Sequence, residues 1–183
     1  TQSFAKKIIC YDKNLRGISK KFLDKVSIIK PFLRKEIYKY QKNEKKELEN
    51  KKKILVIGGS QGAKFFDETI SKIMIKLSKV LNIKVLQQVI NQKSKQNIED
   101  LYKKNYLDYE LFEFDDNLLA RASNYDLAIT RSGASTISEL SYLNIPFIAI
   151  PYPYAKDNHQ YFNSKFYKNK NCCWLISQKD INE

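Results

Sequence analysis

From Ile54 onward, short apolar runs alternate with amphipathic segments, and this alternation restricts the chain to few folds. Ile54–Ile57 is a continuous apolar run of the kind buried on both faces of a sheet, and Ile83–Val89, Tyr109–Phe114, Asp126–Thr130, Phe147–Ile150 and Cys173–Ile176 read as further strands. Between them the spacing predicts helices. Phe66, Ile70, Ile73, Leu77 and Val80 or Leu81 recur at intervals of three and four, Ser94–Lys104 is a polar helix, and Leu118–Ser123, Ser135–Leu143 and Asn158–Asn169 follow. Strands and helices that alternate over short connections form a parallel sheet covered on both faces. Ligands of such sheets bind beyond the carboxyl ends of the strands.

Three junctions fall at those ends: Gly58–Gly62, Arg131–Ser135 and Pro151–Gln160. The second is the most informative. In Asp126-Leu-Ala-Ile-Thr-Arg131-Ser132-Gly133-Ala134-Ser135-Thr136-Ile-Ser-Glu139-Leu140 a buried strand passes through a Ser/Gly turn into a helix, whose first N–H groups lack intrahelical partners and suit an anion. Glu139 lies about one turn inside that helix, too deep for a simple cap, and its carboxylate can accept from ligand hydroxyls. Phosphate together with a diol suggests a nucleotide. The first junction is not a Walker loop, because Ala63-Lys64-Phe65 replaces Gly-Lys-Ser/Thr, and its glycine interval does not fit the dinucleotide fingerprint. An ATPase, a GTPase and a dehydrogenase are disfavoured. The third junction holds the single histidine, His159, beside Gln160, with no nucleophile partner evident.

Charge is unevenly distributed. Residues 1–53 carry 17 Lys and Arg against 6 Asp and Glu, whereas residues 54–183 carry 16 against 14. Of the 33 basic residues 29 are Lys, and readers of bases and phosphates favour the arginine fork, so nucleic acid is not the expected partner. A solvated lysine-rich surface accounts for most of the charge; attraction to anionic lipid, at about 1 kcal/mol per well-placed cation, is the functional alternative. Cys10, Cys172 and Cys173 suit neither a zinc site nor an ordinary disulfide, and reduced thiols in a cytosolic setting are expected. No apolar run approaches the roughly 18 residues of a membrane span, and no signal-peptide pattern is present.

Before Ile54, Lys6–Tyr11 and Val26–Ile29 read as short strands and Arg34–Tyr40 as a short helix. Residues 41–53 (QKNEKKELENKKK) fit an exposed helix or an interdomain linker. The expected organisation is the end of one domain over 1–40, a charged linker over 41–53, and a second domain over 54–183.

The ordered set GGSQGAK, FDDNLLARASNYD, TRSGASTISEL and IPYPYAKDNHQYFNS closely resembles the MurG family of bacterial glycosyltransferases, over about residues 26–177. The resemblance implies the C-terminal, Rossmann-like half of a GT-B glycosyltransferase, truncated at its own C-terminus, with the end of the acceptor domain before it. It implies an inverting transfer of GlcNAc from UDP-GlcNAc to a lipid-linked muramyl-pentapeptide, converting lipid I to lipid II in peptidoglycan synthesis. No cofactor or metal is expected. The implied setting is the bacterial cytoplasm, on the cytoplasmic face of the inner membrane and against its anionic lipids.

The resemblance also implies residue roles. Ser60, Gln61 and Gly62 would line the diphosphate, Ser132, Gly133 and Ala134 would turn a helix N-terminus towards it, and Arg131 would buttress that turn. Glu139 would accept from the ribose. Backbone groups around Phe114 and Asp115 would read the uracil edge, with Arg34 approaching from the linker side, and Gln160 with His159 would meet the sugar hydroxyls. The family's Gly-Asn-Pro-x-Arg stands here as Lys30-Pro31-Phe32-Leu33-Arg34, with the arginine one residue further from the proline, and its Gln-Gln pair is His159-Gln160. No catalytic residue is expected in this chain; the family's acceptor loops and base lie in an N-terminal region it lacks, so it is expected to bind donor without turnover. The chain begins at Thr1 rather than Met, which predicts a piece of a longer protein. Another UDP-sugar transferase, or a non-catalytic basic module for nucleic acid or anionic lipid, are the alternatives.

Overall fold

The structure is a computed structural model that describes residues 2–12, 17–40, 50–59 and 64–182. It divides into two compact units, Thr1–Leu33 and Arg34–Glu183. The sequence reading set the domain change in the charged segment after residue 40; the compact units divide earlier, and residues 41–49 of that segment lie outside the described residues. In the first unit β1 (Ile8–Cys10) pairs in parallel with β2 (Val26–Ile28), joined by a 3-10 turn at Lys20–Lys25, and Tyr11 packs edge-on against Phe32.

The second unit opens with a 3-10 helix at Lys35–Lys39, whose Ile37 is fully buried. Six strands then form one parallel sheet: β3 (Lys52–Ile57), β4 (Ile83–Gln88), β5 (Asp108–Phe112), β6 (Leu127–Thr130), β7 (Phe147–Ala149) and β8 (Cys173–Leu175). Their spatial order is β5-β4-β3-β6-β7-β8. The chain thus winds outward from β3 to one edge, returns beside β3 as β6, and winds outward to the other edge. That reversal leaves a crevice between the carboxyl ends of β3 and β6.

Five helices connect the strands: α1 (Ser71–Ser78), α2 (Gln92–Lys104), α3 (Leu118–Ala122), α4 (Ala134–Tyr142) and α5 (His159–Lys168). Strand alternation divides the core between two faces. Ile54, Val56, Val85 and Ile129 pack with Phe66, Ile70, Met74 and Tyr102 on one face, while Phe147 meets Tyr167 of α5 at 6.1 Å between ring centroids on the other.

One element departs from the expected periodicity. A π-turn at Phe66–Ile70 precedes α1, and its wider winding advances the buried face, so that Met74 and Ile75 are buried and the expected Ile73 and Leu77 are only partly so. Sequence spacing alone cannot register such a turn, because it assumes a constant 3.6-residue period.

Candidate functional site

The carboxyl ends of β3, β5, β6 and β7 supply the site, and each is tied to a neighbour. After β3, Gly59 adopts φ +75°, where a side chain would be strained, and its N–H donates to Gln88 Oε1 at 3.1 Å. Gln88 Nε2 donates onward to the Glu113 carbonyl at 3.2 Å, coupling the first junction to the end of β5. The expected diphosphate residues Ser60, Gln61 and Gly62 lie outside the described residues.

Beyond β5, Phe114 is 79% exposed. Asp115 is committed locally: Oδ1 accepts from the Asn117 N–H at 2.8 Å and Oδ2 from Arg121 Nη1 at 2.7 Å. Arg121 also pairs with Glu110. The loop is therefore held by the Asp115 side chain, while the Phe114 ring stays open to solvent.

The β6–α4 junction carries the concentrated chemistry. Gly133 is the N-cap of α4 in an extended conformation, and no side chain caps the helix. Its carbonyl accepts from the Ile137 N–H, so the N–H groups of Ala134, Ser135 and Thr136 precede the first intrahelical bond. A Cβ built on Gly133 would come no nearer than 3.9 Å to its neighbours, at Thr136 Oγ1, so packing does not demand glycine here.

Arg131 is buried behind this turn without a carboxylate partner. Nη1 donates to the Ile150 and Pro151 carbonyls at 3.3 and 3.2 Å and Nη2 to Gln178 Oε1 at 2.7 Å, while Nε has no partner. Its guanidinium lies 5.0–5.5 Å from the centroids of Phe65, Phe66 and Tyr152. Burial lowers its pKa to about 10, which leaves it charged at neutral pH. Among the described residues this positive charge has no carboxylate counter-ion.

One turn into α4, Glu139 is 4% exposed and holds Arg34 in a bidentate pair, Oε1 to Nε at 2.6 Å and Oε2 to Nη2 at 2.8 Å. The pair raises the arginine pKa, chiefly through the hydrogen bond to Glu139. The structure therefore brings together two residues expected in the site, 105 positions apart in sequence.

At the third junction Asp157 and Asn158 both adopt positive φ, at 52° and 53°, immediately before α5. His159 is exposed and its Nδ1 donates to the Lys156 carbonyl at 2.8 Å. Gln160 faces inward: its Oε1 accepts from the Ser132 N–H at 3.1 Å and the Tyr152 N–H at 2.9 Å. That oxygen joins the second and third junctions, a bond that sequence reading missed. Asn163, read from sequence as a structural polar residue of this helix, and Ser164, unassigned from sequence, bind Ser132 as well. Their signal was a polar stripe, Gln160, Asn163, Ser164 and Tyr167, at intervals of three, one and three along an otherwise mixed helix.

The strand order and the crevice at its reversal define a doubly wound, Rossmann-like α/β domain, with the uncapped α4 N-terminus at one of its junctions. Residues 53–183 match the family model described as the glycosyltransferase family 28 C-terminal domain, and the chain belongs to that family. A Pelagibacter ubique protein named UDP-N-acetylglucosamine--N-acetylmuramyl-(pentapeptide) pyrophosphoryl-undecaprenol N-acetylglucosamine transferase is 39% identical over 181 residues, covering 99% of this chain and 50% of its own. A Rickettsia canadensis protein of the same name is 37% identical over 98% of this chain and 51% of its own. The chain spans about half the length of the curated relatives it matches. The crystal structure of Acinetobacter baumannii MurG superposes with a TM-score of 0.78 at 21% identity, over 98% of this chain and 49% of that one, a likeness of fold.

Proposed function

We propose that this chain forms the donor half of a transferase that moves GlcNAc from UDP-GlcNAc to lipid I, yielding lipid II. The observation that carries the reading is the uncapped α4 N-terminus at the sheet's reversal, backed by the unpaired Arg131 charge and followed one turn later by Glu139. The naming of the relatives, at 37–39% identity across almost the whole chain, supplies the donor and acceptor.

In the reaction the acceptor hydroxyl attacks the anomeric carbon with inversion. The bond from that carbon to the diphosphate oxygen breaks, its electrons leave on UDP, and the hydroxyl proton passes to a base outside this chain. The N–H groups at the start of α4 and the partial positive charge of the helix end stabilise the departing diphosphate. This role replaces the one a divalent cation plays in other transferases. Ribose hydroxyls donate to the lone pairs of Glu139 that Arg34 leaves free. Arg34, fixed by the same pair, borders the uracil, whose edge meets backbone groups at Phe114 and Asp115. Gln160 keeps Nε2 for a sugar hydroxyl, since its Oε1 is spent on backbone, and His159 offers Nε2 as an acceptor. Ser60, Gln61 and Gly62 complete the diphosphate side.

The lysine-rich residues 1–53 favour work beside anionic lipid on the cytoplasmic face of the membrane. No helix among the described residues is long and apolar enough to cross a membrane.

The test is calorimetric titration of UDP-GlcNAc into the chain and into Glu139→Ala. Saturable binding is expected without added Mg²⁺, weakened in the variant by about 1–3 kcal/mol, the scale of lost hydrogen bonds to a charged group. Unchanged affinity in the variant would remove the ribose role. Absence of donor binding together with salt-dependent binding of polyanions would favour a basic binding module instead.

A further inference from the structure

Ser132 is fully buried, and α5 holds each of its polar groups. Its N–H donates to Gln160 Oε1 at 3.1 Å, its carbonyl accepts from Asn163 Nδ2 at 3.1 Å, and its hydroxyl accepts from Ser164 Oγ at 2.5 Å. One turn further along the same stripe, Tyr167 Oη donates to Ser138 Oγ at 2.9 Å, and Ser138 donates to the Ala134 carbonyl at 2.6 Å. The four residues of one α5 face are thus spent on the turn and first helical residues of the anion junction. None is spent on the ligand through these bonds.

We infer that Asn163 is a positioning residue for diphosphate recognition, acting through the Ser132–Gly133 peptide. The inference rests on the donor reading above and adds a determinant that does not touch the donor. A peptide unit is planar and trans, so the Ser132 carbonyl and the Gly133 N–H point in opposite directions. Asn163 binds that carbonyl from the α5 side, and the Gly133 N–H consequently points away from α5. Gly133 has room for a Cβ and an ordinary φ of −62°, so neither packing nor backbone strain requires its bare backbone. Close approach of a ligand does. With the Ser132 N–H already given to Gln160, the donors left for an anion are those of Gly133, Ala134, Ser135 and Thr136. Ser132, expected from sequence to help turn the helix N-terminus towards the diphosphate, is the post to which α5 fastens the turn.

Releasing the carbonyl lets this peptide rotate, and the first of those donors loses its aim. The loss falls on the phosphates. The uracil and ribose contacts rest on other residues, around Phe114 and at Glu139, and keep their geometry.

The experiment titrates UDP and uridine separately into the 183-residue chain, into Asn163→Ala and into Ser164→Ala, with circular dichroism melts on each. Asn163→Ala is expected to weaken UDP roughly tenfold, the scale of a weakened hydrogen bond to an ion, with uridine affinity unchanged. Ser164→Ala, which frees the Ser132 hydroxyl, shifts the same ratio in the same direction and supplies the answer if Asn163→Ala does not fold. Glu139→Ala provides the contrast, lowering both affinities together. Equal losses for UDP and uridine in folded Asn163→Ala, or unchanged UDP affinity, would overturn the inference while leaving the donor site in place. Failure of the unaltered chain to bind UDP would instead overturn the donor reading on which it stands.

Discussion

Glu139 and Arg131 show how single charges are kept in the interior of this domain. Glu139 is nearly inaccessible, and both its carboxylate oxygens meet the Arg34 guanidinium in bidentate geometry. Among the described residues Arg131 has no anion, and three carbonyl-type acceptors and three aromatic rings take its place. Removing one partner of the first pair exposes the cost of burial. Arg34→Met is expected to destabilise the chain by about 1–3 kcal/mol, the penalty of leaving a buried charged acceptor with no partner. The double variant Arg34→Met/Glu139→Gln should recover part of that loss, because the neutral amide costs less to bury. Urea unfolding of the unaltered chain, the two single variants Arg34→Met and Glu139→Gln and the double variant measures it, and simple additivity of the two substitutions would count against the pair. From sequence, Glu139 was legible as a carboxylate about one turn inside its helix, too deep for a simple cap, but its partner was not. No local pattern links positions separated by more than a hundred residues.

At the scale of elements, the strand and helix sequence was legible because each element carries its own period, and apart from the π-turn at Phe66–Ile70 the errors fell at ends. Expected Tyr109–Phe114 becomes Asp108–Phe112, since Glu113 and Phe114 leave the ladder for the loop that follows. Expected Ser94–Lys104 begins instead at Gln92, with Asn91 as the cap accepting from the Ser94 N–H at 2.9 Å. Less legible was the polar content of the core. Gln87 of β4 and Tyr102 of α2 are both fully buried, and Tyr102 Oη donates to Gln87 Oε1 at 2.5 Å while Gln87 Nε2 has no partner. Burial pushes the Tyr102 phenol well above its ordinary range, so it remains a donor at any working pH. Tyr102→Phe would leave Gln87 without either bond. A loss of about 1–3 kcal/mol is expected, larger than the usual net value of one hydrogen bond because the stranded amide stays desolvated. Thermal melts of Tyr102→Phe alone and with Gln87→Leu test this, the second change being expected to restore stability.

Across the whole molecule, the same polar pocket gives folding a pH dependence. Asp67 is 8% exposed, one oxygen accepts from the Ile90 N–H at 3.3 Å, and the other has no partner. Burial raises its pKa, opposed by the Ile90 N–H and the nearby Ser94 and Gln87 side chains and reinforced by Glu68. The folded protein therefore holds this proton more tightly than the unfolded chain. Its contribution is fully present below the ordinary aspartate range and is lost as pH rises through the folded-state value. Asp67→Asn should remove that slope, raising Tm at pH 8 more than at pH 4, by roughly 2–4 °C for each kcal/mol recovered. An equal change at both pH values would rule it out. The sequence by itself determined the parallel α/β class, the three junctions at the carboxyl ends of the strands and the start of the helix after the Ser/Gly turn, because these follow from local periodicity and turn chemistry. The tertiary structure decided the strand order that sets β6 beside β3, the Arg34–Glu139 pair, and the face of α5 that fastens Ser132. Those depend on which distant segments pack together, and packing is settled by the burial of the whole chain rather than by any stretch of it.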